Sequence, residues 1–227
     1  MADPPARPDV SKGYLDLLTD VASAPPKNTG VIQAAWASGI GSLLYDNAQA
    51  LTRRLVSAWQ LPLGWLDVPA GGVALDVGSG PGNVTASLAR AAGPGGLALG
   101  VDISEPMLAR AVQAEAGPNV GFLRADAQRL PLRDHTVDVV VSIAMLQLIP
   151  APPAAAAEMV RVLKPGGRIA VMVPTVGRAG ELFRWLSNGG AHFFTEDELG
   201  DTFEDLGLTR IRTKTLGNVQ WVRGQRP

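Results

Sequence analysis

The chain has 227 residues, with 21 acidic against 20 basic side chains and a net charge of -1. That balance offers no clustered basic face of the kind nucleic-acid binding needs. The absence of cysteine excludes disulfides, thiolate catalysis and cysteine-ligated metals. No apolar run is long enough to span a bilayer, and no basic segment followed by an apolar one opens the chain. A cytoplasmic protein with one large α/β domain and an added cap is the expectation.

The N-terminal third reads as helical. Met1 to Arg7 is proline-rich and expected to fray. Ser11 to Val21 reads as a short helix with Tyr14, Leu15, Leu17 and Leu18 on its apolar side, ended by Pro25-Pro26. Val31 to Trp36 is a second short apolar piece. A longer helix follows from Ser42 to about Trp59, with Leu43, Leu44, Ala48, Leu51, Leu55 and Val56 as its buried stripe, and Pro62 stops it. These pieces precede the first strand and fall outside the parallel order. Residues 1–64 are therefore expected to pack as a helical lid or cap, and residues 65–227 to form the main domain.

The chain is organised around Val73-Ala74-Leu75-Asp76-Val77-Gly78-Ser79-Gly80-Pro81-Gly82-Asn83-Val84-Thr85. A short apolar run reads as a buried parallel strand, and three alternating glycines break it into a turn. A helix follows, with Val84, Leu88, Ala91 and Ala92 at helical spacing. This is the opening of a nucleotide-binding βαβ unit. A dinucleotide loop needs a third glycine where Asn83 stands. Asp76 at the strand's end is expected to present a carboxylate that repels pyrophosphate and attracts an ammonium group or accepts hydrogen bonds.

The next strand, Leu97 to Asp102, ends in a second acid, and Ser104 caps a helix to about Ala116. Asp102 lies about two dozen residues after Gly78, near the roughly 20-residue interval of an acid that bonds a ribose diol. The third strand and its exit run from Val120 to Ala127, and a fourth runs from Val137 to Ile143. Pro152-Pro153 opens a helix that ends at Val162-Leu163. Lys164-Pro165-Gly166-Gly167 turns the chain into a fifth strand, Arg168 to Val173. Glu181 to Leu186 reads as an inserted helix. Thr195-Glu196-Asp197-Glu198 reads as a capping box opening a helix to about Leu206, with Gly207 as its stop. Leu208 to Leu216 and Asn218 to Arg223 close the chain as a hairpin about Gly217-Asn218.

The loop around Gly78, Gly80 and Gly82 resembles the first motif of class I S-adenosylmethionine-dependent methyltransferases. Asp102, the exit Asp126-Ala127 with Leu130-Pro131-Leu132 after it, and Arg161-Val162-Leu163-Lys164-Pro165-Gly166-Gly167-Arg168 extend that resemblance, notably to the ubiquinone and menaquinone type. It implies a Rossmann-like, doubly wound seven-stranded sheet, order 3-2-1-4-5-7-6 with strand seven antiparallel. It implies S-adenosylmethionine as cofactor, held by Asp76, Gly78, Ser79, Gly80, Gly82, Asn83, Asp102, Ile103, Met107, Asp126, Ala127 and Ser142. In the same resemblance Tyr45, in a Tyr45-Asp46 pair, closes over the cofactor, with Trp36 as a second candidate. Relatives often carry a histidine in a Leu-Gln-His pattern after strand four. Here Leu146-Gln147-Leu148 puts leucine at that place, which leaves His192 as the candidate base. Methyl transfer rests mainly on alignment, and no metal constellation is present. The expected partner is a small, lipophilic or aromatic acceptor, from the apolar run Leu182, Phe183, Trp185, Leu186, Phe193 and Phe194. The oligomeric state is open, a homodimer included. A non-catalytic cofactor-binding module and a nicotinamide oxidoreductase are the alternatives.

Overall fold

The computed structural model describes residues 1–2, 8–18, 62–175 and 192–227. In chain order the elements are β1 (Leu15–Asp16), α1 (Leu63–Leu66), β2 (Val73–Val77), α2 (Asn83–Ala92), β3 (Leu97–Asp102), α3 (Glu105–Glu115), β4 (Val120–Arg124), β5 (Val137–Ile143), α4 (Pro152–Val162), β6 (Leu163–Pro174), α5 (Glu198–Asp205), β7 (Thr209–Leu216) and β8 (Val219–Gln225). A 3-10 turn, Leu146–Leu148, follows β5.

The strands form one eight-stranded sheet, order β1-β4-β3-β2-β5-β6-β8-β7. Without β1 this is the expected seven-strand order, and β8 is antiparallel to both β6 and β7. The parallel strands alternate between two covered faces, the signature of helices on both sides of a sheet. Leu75, Val77, Val101, Val140, Ile169 and Val171 face α4 and α5, where Ala155, Met159, Leu199 and Phe203 meet them. Ala74, Ala98, Val139, Val141, Ala170 and Met172 face α2 and α1, where Leu88, Ala89 and Leu66 meet them. Small side chains on that second face let α2 lie close to the sheet. An added Cβ on Gly100 would stand 2.8 Å from both Phe122 and the Thr85 hydroxyl.

Three expectations need correction. The first expected helix is absent over its described part, Ser11 to Leu18: a turn leads into β1, which pairs parallel to β4 through Leu15↔Leu123 and Asp16↔Arg124. Part of the N-terminal region therefore belongs to the sheet. The local pattern of Tyr14, Leu15, Leu17 and Leu18 loses to a tertiary contact, the ion pair of Asp16 with the Arg124 guanidinium at 3.1 Å. Second, β6 begins at Leu163. Lys164 to Gly167 is an excursion inside it, because Val137 pairs with Leu163 and Val139 with Arg168. The excursion is tied to the chain's end through Gly166 N–H on Arg226 O and Arg226 N–H on Gly167 O. Third, α5 begins at Glu198, and half of the capping box forms: Glu198 reaches back to the Thr195 N–H at 3.0 Å. The expected helices at Val31–Trp36, Ser42–Trp59 and Glu181–Leu186, and the lid they would build, lie outside the described residues.

Candidate functional site

The C-terminal ends of β2, β3, β4 and β5 lie side by side where the strand order reverses, the expected ligand crevice of an open α/β sheet. The loop after β2 is wound by positive backbone angles at Gly78 (φ 78°), Gly80 (φ 50°) and Gly82 (φ 84°), which side chains resist. Its N–H groups have internal acceptors. Those of Gly78 and Ser79 donate to Val101 O at 2.8 and 3.0 Å, and that of Gly82 donates to Ser79 O at 3.0 Å. The Gly80 N–H donates to Asp102 Oδ2 at 2.8 Å, and Pro81 has none. A pyrophosphate site needs such groups free. This loop spends them on its own shape.

Asp102 therefore joins two parts of the site. Its Oδ1 accepts the Ser104 N–H at 2.8 Å while Oδ2 holds the loop. Burial raises the pKa of this carboxyl above the ordinary aspartate value, and the N–H groups of Ser104, Gly80 and Ile103 act against that. Ile103, exposed, and Met107, buried, follow on the same crossover. The Ser104 hydroxyl, expected as a helix cap, makes no capping bond.

Asp76 departs from expectation. It does not present its carboxylate to the crevice. It shares the Ala74 face of β2, opposite Gly100, and is 1% exposed. The hydroxyl of Thr85, in the first turn of α2, donates to Asp76 Oδ2 at 2.7 Å. Burial pushes this carboxyl up to about 7; Thr85 lowers it through hydroxyl and N–H, and the Asp102 charge raises it.

At the end of β4, Asp126 accepts the Gln128 N–H at 2.9 Å, and the Gln128 amide lies on both carboxylate oxygens. Ala125 N–H on Asp102 O ties this exit to β3, and Ala127 is half-buried. Asn83 is exposed at the start of α2. Ser79 and Ser142 bury hydroxyls that have no partner among the described residues. Gly80 faces open space: an added Cβ meets nothing within 4 Å. Unpaired buried hydroxyls are costly unless something satisfies them. Two such hydroxyls, carboxylates on successive strands and an uncovered glycine fit a ligand rich in hydroxyl and amine groups and free of phosphate. S-adenosylmethionine is such a molecule. Tyr45 and Trp36 lie outside the described residues.

His192 sits on the same rim. Its N–H donates to Gln147 O at 2.8 Å, just beyond β5, and Phe194 two residues on is bridged to Thr175 at the end of β6. Its Nε2 is 2.5 Å from Glu198 Oε1. His135 is exposed, its ring Nδ1 3.1 Å from Leu163 O. Reading the sequence missed three partners: Thr85 for Asp76, Glu198 for His192, and Met145, whose side chain roofs Gly78. Only Glu198 carried a signal, as the acid of the capping box.

The family described as a methyltransferase domain matches residues 75–171. A demethylmenaquinone methyltransferase of Bacillus cytotoxicus is 32% identical over 192 residues, covering 71% of this chain and 81% of that protein. A methyltransferase structure from Aquifex aeolicus superposes with a TM-score of 0.59 at 25% identity, covering 73% of this chain and 87% of that one. One from Thermotoga maritima gives a TM-score of 0.68 at 20% identity, over 86% and 100%. The glycine loop, the acids at the ends of successive strands and these likenesses agree: the chain belongs to the class I S-adenosylmethionine-dependent methyltransferases.

Proposed function

We propose that the chain methylates a small, lipophilic aromatic acceptor of the quinone kind. The observation that carries the cofactor half of this reading is the Gly80–Asp102 bond inside a loop whose other N–H groups are spent. The acceptor half rests on the likeness to a demethylmenaquinone methyltransferase.

Bound S-adenosylmethionine supplies a methyl group already activated on a sulfonium. Asp102 holds the ribose hydroxyls with the lone pairs its two N–H donors leave free. Asp126 accepts from the adenine amino group and the Ala127 N–H reaches the ring, while Ile103 and Met107 offer it apolar surface. The hydroxyls of Ser79 and Ser142 take the hydrogen bonds they lack. Asp76 acts from behind, fixing Thr85 and placing a carboxyl beneath the loop. These groups orient. Alignment of acceptor and methyl group supplies up to about 7–11 kcal/mol of the barrier.

Calorimetry with S-adenosylhomocysteine and with NAD, followed by transfer of labelled methyl to a reduced, short-chain demethylmenaquinone analogue, tests both halves. One-to-one binding of S-adenosylhomocysteine, no binding of NAD, and label on the ring are expected. Tight NAD binding sinks the first half; an unlabelled quinol sinks the second.

A further inference from the structure

His192 and Glu198 form a pair that the cofactor site does not use. The segment bearing them crosses the C-terminal ends of two central strands. The His192 N–H is held by Gln147 O beyond β5, and the Phe194 carbonyl accepts the Thr175 hydroxyl at 2.9 Å beyond β6. Met145, two residues before Gln147, packs on Gly78 of the glycine loop. Two residues span at most about 7 Å, so His192 is tethered close to the loop that receives the cofactor.

The ring is held by two neighbours. Its edge meets Phe194 with centroids 4.6 Å apart at 80°. Its Nε2 meets Glu198 Oε1 at 2.5 Å, and the other Glu198 oxygen accepts the Thr195 N–H at 3.0 Å. Because a carboxylate only accepts, the hydrogen of the neutral ring belongs on Nε2. Nδ1 then carries a lone pair and has no hydrogen bond among the described residues. The side chains of His192 and Glu198 are 44% and 35% exposed, so the ring is reachable from the rim. A base oriented by a third group, with a lone pair on its other nitrogen, is the arrangement that activates a proton-bearing nucleophile.

We propose that His192 Nδ1 is the general base for a hydroxylated aromatic acceptor, and that Glu198 is the positioning residue that fixes its tautomer. The proposal rests on the acceptor reading above. The hydroxyl proton passes to Nδ1. The electron pair left on oxygen forms the new bond to the methyl carbon, directly or through a conjugated ring carbon. The methyl–sulfur pair stays on sulfur as thioether. Where carbon is methylated, its hydrogen returns to the oxygen by tautomerisation. One proton in total leaves through His192.

Two measurements decide it. In the acceptor-free protein, nitrogen NMR reads the tautomer of His192. Hydrogen on Nε2 is expected, with a shift toward the free-imidazole mixture in Glu198→Ala; hydrogen on Nδ1, or no change in Glu198→Ala, overturns the proposal. In single turnovers with the reduced demethylmenaquinone analogue, His192→Ala is expected to lose about 10²–10⁴-fold, with affinity for S-adenosylhomocysteine unchanged and rate partly restored by added imidazole. A smaller loss, or no rescue, overturns it. If the wild-type protein leaves the analogue unmethylated, the acceptor reading fails and the tautomer measurement alone decides the pair.

Discussion

The Gly80 N–H and the Asp102 carboxylate, 2.8 Å apart, couple the first glycine loop to the end of the neighbouring strand before any ligand arrives. Asp102 is thus part of the scaffold as well as a proposed ribose ligand. Asp102→Ala removes two N–H bonds to a charged group, each worth about 1.5–3 kcal/mol. The apo protein is therefore expected to melt several degrees lower, and S-adenosylhomocysteine to bind at least tenfold more weakly. Sequence position alone, a strand end at an open crevice, suggests instead that apo stability is untouched. Calorimetry of both properties checks the outcome; a variant that binds normally removes the ribose role.

Asp76 gives stability a pH dependence with a definite sign. Its carboxyl is pushed up to about 7 in the folded chain, chiefly by burial, from an ordinary value of 3.8. The folded state therefore holds the proton more tightly than the unfolded state. The stabilisation is complete below about 4 and is lost as pH rises through 7. Asp102, raised in the same direction, adds to it. Denaturant titrations of the ligand-free protein should show stability falling by a few kcal/mol across this window. Asp76→Asn, which still accepts from Thr85, should flatten that fall. An equal slope in the variant assigns the effect elsewhere.

The three loop glycines are not equivalent. An added Cβ on Gly82 would stand 2.8 Å from Phe122 and 3.0 Å from Ala111, at φ 84°. Gly82→Ala therefore combines left-handed strain of about 1–2 kcal/mol with overpacking of about 1–3 kcal/mol. Gly80→Ala meets nothing within 4 Å and carries the strain alone. The expected signature is a crossing of effects. Gly82→Ala loses more stability, whereas Gly80→Ala loses mainly cofactor affinity, because its methyl group enters open space in the loop proposed to meet the cofactor. Thermal denaturation and S-adenosylhomocysteine titration of the two variants distinguish these effects.

The strands β3 and β5 were legible to the residue, and β2 to within one at its end, because short apolar runs bounded by turns have few alternative uses. The acids at or near their ends were legible by position. The direction of each side chain was not. Asp76 turns to the α2 face because it shares the alternation of Ala74, and Gly100 opposite leaves room for the Thr85 hydroxyl. That is a fact of three segments at once. His192 stood in the sequence only as the candidate base left once Leu148 took the usual histidine place. Only folding brings Glu198 to its Nε2. The edge strand β1 was invisible for the same reason: its partner is more than a hundred residues away.

That edge strand supplies the last prediction. Asp16 is 6% exposed and lies against Arg124, whose guanidinium also pairs with Glu105 at 2.8 Å and whose Nε donates to Ile103 O at 3.2 Å. Lys12 adds a contact to Glu105 at 3.0 Å. The exposed members contribute little on their own. Arg124 is the common partner of Asp16, Glu105 and Ile103, and its own carbonyl accepts the Leu17 N–H. Arg124→Met keeps the stem and removes the charge, leaving the buried Asp16 carboxylate with the Leu18 N–H at 3.0 Å and the more distant Lys12 ammonium at 4.0 Å. A loss of about 1.5–3 kcal/mol is expected, the range for hydrogen bonds to a charged group. The loss should be local. Hydrogen exchange at Leu17 should accelerate strongly while that of Val139 and Val140 in β5 stays slow. The double variant Arg124→Met with Asp16→Asn should recover part of the loss, because the buried charge, left with only the distant Lys12, is then gone. Uniform acceleration through β5, or no change at Leu17, contradicts this account of how the chain's start is held to the sheet.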